Sequence, residues 1–164
     1  MTASLCIHDI DPSVRVVELT DMPKPDAGAP VPTITGDEHC IVVGYYTSSG
    51  QWAIVRFDSV STHAFGSPND EAIHGHPLFE YGLKPYDCYE VKPSPWLNQL
   101  EIANRVHSRH DPKWFMSGEH HYIIAFHDTL FECIAERYES SVIDPEKHKP
   151  LDEMIRVWKQ PAKR

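Results

Sequence analysis

The chain has 164 residues, 41% of them hydrophobic and 24% charged, a size and balance that suit one globular domain with a real core. Its 24 acidic residues against 15 Lys and Arg leave a formal net charge of -9, which disfavours nucleic acid and anionic membrane surfaces as partners. No apolar run approaches the length of a spanning helix, and MTASLCIHDIDPSVR lacks a signal-peptide pattern, so the expected location is cytoplasmic.

In chain order, SVRVVELT (13–20) alternates well enough for one strand. Prolines at 23, 25, 30 and 32 hold 21–33 extended, as a spacer or an arm wrapping the core. Residues 39–58 read as a hairpin around Ser49-Gly50, which puts Cys40, Val42, Gly44, Tyr46, Ala53, Val55 and Phe57 on one core-facing side. The stretch 59–93 is rich in glycine and proline and reads as loop, with a short strand at 87–91. Ser94 then caps a helix over SPWLNQLEIANRVH, with Pro95 in its first turn and Trp96, Leu100, Ala103 and His107 on one face. Asp111-Pro112 restarts a helical turn through Trp114 and Phe115.

Residues 120–139 form a second hairpin with Asp128-Thr129 as its turn. Tyr122, Ile124, Phe126, Phe131, Cys133 and Ala135 share its apolar side, while His121, His127, Glu132 and Glu136 share the polar one. A last helix covers PLDEMIRVWKQ, with Leu151, Ile155 and Trp158 in phase, and the basic tail KQPAKR (159–164) ends the chain. The sum is an α+β fold: a mostly antiparallel sheet built from hairpins, with two or three helices packed on it. One domain spans 1–164: a strand-bearing segment 1–20, the proline-rich 21–33, a core over 34–158 and the tail.

Histidine is the compositional anomaly, 11 in 164 residues where about 2% is ordinary. The stretch HGHPLFE places His74, His76 and Glu80 at the spacing of the first cupin metal motif. It departs from that motif in Gly75 and Pro77, which weaken a strand, and in the early Gly82. In NRVHSRHDP, His107 and His110 lie three apart at a helix end, with Asp111 as a third ligand, an orienting carboxylate or simply a cap. If that helix end packs over the polar side of the second hairpin, three or four ligands converge on a divalent ion such as zinc, iron, nickel or manganese, with His107, His110, Asp111, His121 and His127 as the candidates. His74, His76 and Glu80 are then secondary contributors. Cys133 with His127 and Asp128 suggests a nucleophilic triad, but the hairpin points the thiol and the imidazole to opposite sides. The four cysteines, at 6, 40, 88 and 133, form no CxxC pair, and the chain contains no GxGxxG, Walker loop, GxSxG or HExxH.

Together, HPLFEYGLKPYDCYEV, SPWLNQLEIANRVHSRHDP and HYIIAFHDTLFECIA resemble a small bacterial protein family without an assigned activity, over roughly residues 74–136. The resemblance implies no reaction, cofactor or partner, and it transfers no functional residue. Two functions follow from the residues themselves. One is a binding or accessory domain whose histidine-rich polar surface or pocket takes a protein or small molecule. The other is a metal-dependent enzyme built on the histidines. The first is favoured, because the histidines form no complete ligand set at a recognised spacing.

Overall fold

The computed structural model describes residues 10–161, so Cys6 and the last three residues of the basic tail lie outside the described residues. Seven antiparallel strands form a single sheet, joined by three α-helices. The strands are β1 (Arg15–Glu18), β2 (Thr33–Gly36), β3 (Cys40–Tyr46), β4 (Trp52–Gly66), β5 (Cys88–Lys92), β6 (His120–Ala125) and β7 (Leu130–Ile143). Their spatial order is β1-β5-β6-β7-β4-β3-β2. The helices are α1 (Pro95–Asn104), α2 (Pro112–Met116) and α3 (Pro150–Trp158), the architecture that the alternating runs and capping signals predict. No helix among the described residues is long and apolar enough to cross a membrane.

The first hairpin differs from expectation by one residue. Tyr46 pairs with Trp52, and the loop has three residues, with the Thr47 N–H on the Gln51 carbonyl and Gly50 at φ 76°. That left-handed position suits a three-residue hairpin loop and is cheap only for glycine. The slip exchanges the faces of β3, so Ile41, Val43 and Tyr45 join Ala53, Val55 and Phe57 inside, while Val42 and Gly44 face outward. The second hairpin shifts by two, with Ala125 opposite Leu130 and a four-residue turn, and an even shift leaves its faces as expected. β4 also continues well past the expected hairpin, pairing with β7 as far as Gly66 through a bulge between Val60 and Thr62.

The sheet is strongly curled. Tyr45 on β3 and Phe126 at the end of β6 meet with ring centroids 5.2 Å apart, although β4 and β7 lie between their strands. The concave side is the main core: Phe57, Tyr122, Ile124, Phe131 and Cys133 are buried there with Met22. Residues 19–32 join the two edge strands, β1 and β2, and so cross the open side of the curl. The proline-rich segment is therefore an arm, fixed by Tyr45 Oη donating to the Pro23 carbonyl (2.5 Å) and by Tyr46 N–H donating to the Pro30 carbonyl (2.8 Å).

The convex side carries the helices and two 3-10 turns, Ile73–Gly75 and Phe79–Tyr81. Ile73, Leu78 and Leu83 seat the turns on Tyr89, Val91, Ile123 and Leu130. Met154 of α3 packs on Val42, Trp52 and Ile54, while Leu151 and Ile155, expected on its buried face, are largely exposed. Gly44 makes that seat. A Cβ there would stand 2.7 Å from Trp52 Nε1 and 2.9 Å from its Cζ2, and would collide with Met154 Sδ. Gly44→Ala is expected to lower stability by about 1–3 kcal/mol in urea denaturation, and combining it with Met154→Ala costs less than the sum of the two changes.

Candidate functional site

A buried polar chain runs under the convex side, where the loop before β5, the start of α1 and the second hairpin meet. Ser94 caps α1, its Oγ accepting the Leu97 N–H at 3.0 Å. That leaves its hydroxyl proton for His121 Nδ1, also at 3.0 Å. His121 Nε2 then donates to Glu132 Oε2 at 2.9 Å. His76 approaches from the 3-10 segment: its Nδ1 accepts the Leu78 N–H (3.2 Å) and its Nε2 donates to Glu132 Oε1 (3.2 Å). One carboxylate thus holds two imidazoles, and the three side chains are 12%, 8% and 1% exposed for Glu132, His76 and His121. Burial pushes the Glu132 carboxyl up, but the two histidine hydrogen bonds outweigh it and hold the group at about 2. The Trp96 ring stands edge-on to His121, 5.4 Å away, and closes the network from the helix side.

The same pairing recurs elsewhere. His110 Nε2 donates to Glu101 (3.0 Å) and its Nδ1 accepts from the Asn104 amide (3.2 Å), tying α2 to α1. Hydrogen bonds from Arg105 and His110 lower the Glu101 carboxyl to about 2. His120 Nδ1 meets Glu90 at 2.6 Å, and His127 Nδ1 meets Asp70 at 2.9 Å, where Tyr86 also donates its hydroxyl. The Tyr86 and His127 hydrogen bonds hold the Asp70 carboxyl below its usual range, against the opposing effect of burial. In this acidic chain, five of the histidines serve as hydrogen-bond partners of carboxylates.

Of the candidate ligands, His76 and His121 meet, on Glu132, and the others lie apart from them. His107 is exposed in the turn after α1, its Nδ1 accepting the Arg109 N–H, because the helix stops at Asn104 and leaves no shared face for His107 and His110. Asp111 caps α2, accepting the N–H groups of Lys113 and Trp114. His74 and Glu80 are exposed, while His76 turns inward toward His121. The helix end at 107–110 does not cover the polar side of the second hairpin; the His76 loop and the α1 N-terminus meet it instead. Among the described residues no three His, Cys, Asp or Glu side chains are grouped to hold a metal ion. Cys40, Cys88 and Cys133 are buried and unpaired, and burial pushes the Cys88 thiol up to about 12.

Comparison with known proteins adds no relative. No family model, curated protein or solved structure matches the chain.

Exposed apolar side chains are scattered over the strands, the arm and α3 (Val17, Val31, Phe65, Val142, Leu151, Ile155), and four more fall close together in sequence on α1, α2 and the turn between them. Ile102, Val106, Trp114 and Met116 all project there, Val106 being 93% and Trp114 76% exposed. A groove of about 360 Å³ runs between these helices and the β4 bulge, lined by Ser61, Leu100, Ala103, Asn104 and Phe115. Ser61 donates to Glu119 Oε1 at 2.9 Å, and the buried Oε2 of that residue has no hydrogen-bond partner among the described residues. Burial pushes the Glu119 carboxyl up, an effect opposed by Ser61 and reinforced by the charge of Glu136. The sequence places Glu132 on the polar side of the second hairpin but singles out neither Glu101 nor Ser61. Glu101 announces itself only by helical phase, four residues after the buried Leu97.

Proposed function

We propose that the protein is a binding or accessory domain that engages a protein partner through α1, α2 and the turn between them. The carrying observation is the concentration of exposed apolar side chains between positions 102 and 116. Isolated surface hydrophobics are ordinary, but tryptophan, methionine and aliphatic side chains gathered on one helix pair resemble the composition of an interface core. The histidine-bearing polar surface supports this function indirectly. The Glu101–His110 bond fixes α2 against α1, so the surface is presented rigidly and little ordering entropy is lost on binding.

Photo-crosslinking tests this reading. A photoreactive residue at position 106, in the cell that makes the protein, should give one reproducible protein adduct that Trp114→Asp abolishes. The same residue at position 147, between β7 and α3, should not give it. Equal adducts from both positions, or none from position 106, would overturn the reading.

A further inference from the structure

We infer that the partner segment is an acidic amphipathic peptide, an inference that rests on the α1–α2 surface being the interface. Seven of the 13 Lys and Arg among the described residues are ion-paired, Arg137 with Asp58 included, while Arg15, Lys84, Lys149 and Lys159 share with Arg109 and Lys113 the lack of an ion pair there. Lys24 meets Glu18 and Asp87, Lys92 meets Glu90, Arg56 meets Asp58, Arg105 meets Glu101, Lys147 meets Asp144 and Arg156 meets Glu153. Arg109 and Lys113 are exposed and have no ion pair among the described residues. Both sit in the stretch that exposes Val106, Trp114 and Met116. The single acid of that stretch, Asp111, spends its Oδ1 on backbone N–H groups. A locally cationic, apolar surface is thus set on a chain of net charge -9.

Charge complementarity on that surface selects an occupant with carboxylates beside aliphatic or aromatic anchors. The net charge of -9 disfavours such a segment over the surface as a whole. The groove sets the orientation. Its apolar walls, Leu100, Ala103 and Phe115, accept an anchor, while Glu119 behind Ser61 turns the segment's acids outward to Arg109 and Lys113. At physiological ionic strength the Debye length is about 8 Å, so the local attraction survives while repulsion from distant acids is screened.

The test uses the full chain and a fluorescein-labelled synthetic peptide of about 16 residues, with Asp and Glu on one helical face and Leu and Phe at i, i+4 and i+7 on the other. Fluorescence anisotropy should show the peptide binding at least about tenfold more tightly than a version with Lys in place of its acids. Arg109→Glu with Lys113→Glu should reverse that preference, and Trp114→Ala should weaken both peptides. All three sites are exposed, so unchanged circular dichroism and urea midpoints are expected for the variants. Stronger binding of the Lys peptide would overturn the inference. So would Trp114-dependent binding of a single-stranded oligonucleotide in preference to the acidic peptide, or a failure of the acidic peptide to bind. If position 106 still crosslinks its partner in that last case, the interface stands and only the partner's chemistry fails.

Discussion

Glu132→Ala is expected to lower the stability of the fold by about 3–5 kcal/mol, measured by urea denaturation at pH 7. The substitution removes the acceptor of two buried N–H donors, on His76 and His121. It also loosens three elements together, because His121 is bonded to the Ser94 cap of α1 and His76 to the turn at Leu78. A double-mutant cycle with His121→Ala should be strongly non-additive, since either change alone strands the other partner. The pH dependence has a definite sign. The folded Glu132 carboxyl lies at about 2, below its ordinary 4.5, so its contribution is complete above 4.5 and is lost as the pH falls toward 2. The shift corresponds to about 3 kcal/mol in full. Glu132→Gln should therefore have a flatter acid limb, and its gap to the natural protein should narrow between pH 7 and pH 3. Parallel curves over that range would show that the ionised carboxylate is not what holds the two imidazoles.

Arg56→Ala should cost a similar amount, about 3–5 kcal/mol. The Arg56 guanidinium is buried under the end of α3, where Nη1 donates to the carbonyls of Val157 (2.6 Å) and Gln160 (2.8 Å). Its Nε holds Asp58 at 2.8 Å, and Asp58 is 2% exposed. A cation at a helix C-terminus satisfies orphan carbonyls and complements the helix dipole. Its loss strands those carbonyls and leaves Asp58 with Arg137 as its remaining ion-pair partner. Arg56→Met should lose less than alanine, because the stem still fills the space between β4 and α3. Hydrogen exchange should show α3 opening first in both variants. If α3 amides stay as protected as in the natural protein, the guanidinium is not what fastens the helix.

Much of the fold was legible because its signals are local. Ser94 and Pro95 announce α1, alternating side chains announce β3, β4, β6 and β7, and the prolines announce the extended arm. Register was less legible, since Ser49-Gly50 fits a two-residue or a three-residue loop equally well, and one residue of slip exchanged the faces of β3. The site was only half legible. His121 and Glu132 share a strand face in any register of even shift, and the structure places them together. Their third member comes from a loop about fifty residues away, and spacing carries no record of where a loop folds. The phase of α1 was misread for a chemical reason. Glu101 occupies a buried position where an apolar residue is expected, and only Arg105 and His110 make that tolerable.

The pairing of β4 with β7 has a consequence for how the molecule is made. That seam joins the two halves of the curled sheet, and its strands are separated by the whole middle of the chain. Among the described residues β1 in turn pairs with β5 alone. During synthesis the β3–β4 hairpin emerges early with its inner aromatic, Phe57, exposed, and waits for β7, the last strand of the sheet, to cover it. Closing so long a loop carries an entropy cost before any contact offsets it, so a topology of this kind slows folding relative to one of local contacts. Until β7 pairs with it, the edge of β4 presents unpaired backbone groups that a second chain can take up, the geometry of edge-to-edge aggregation.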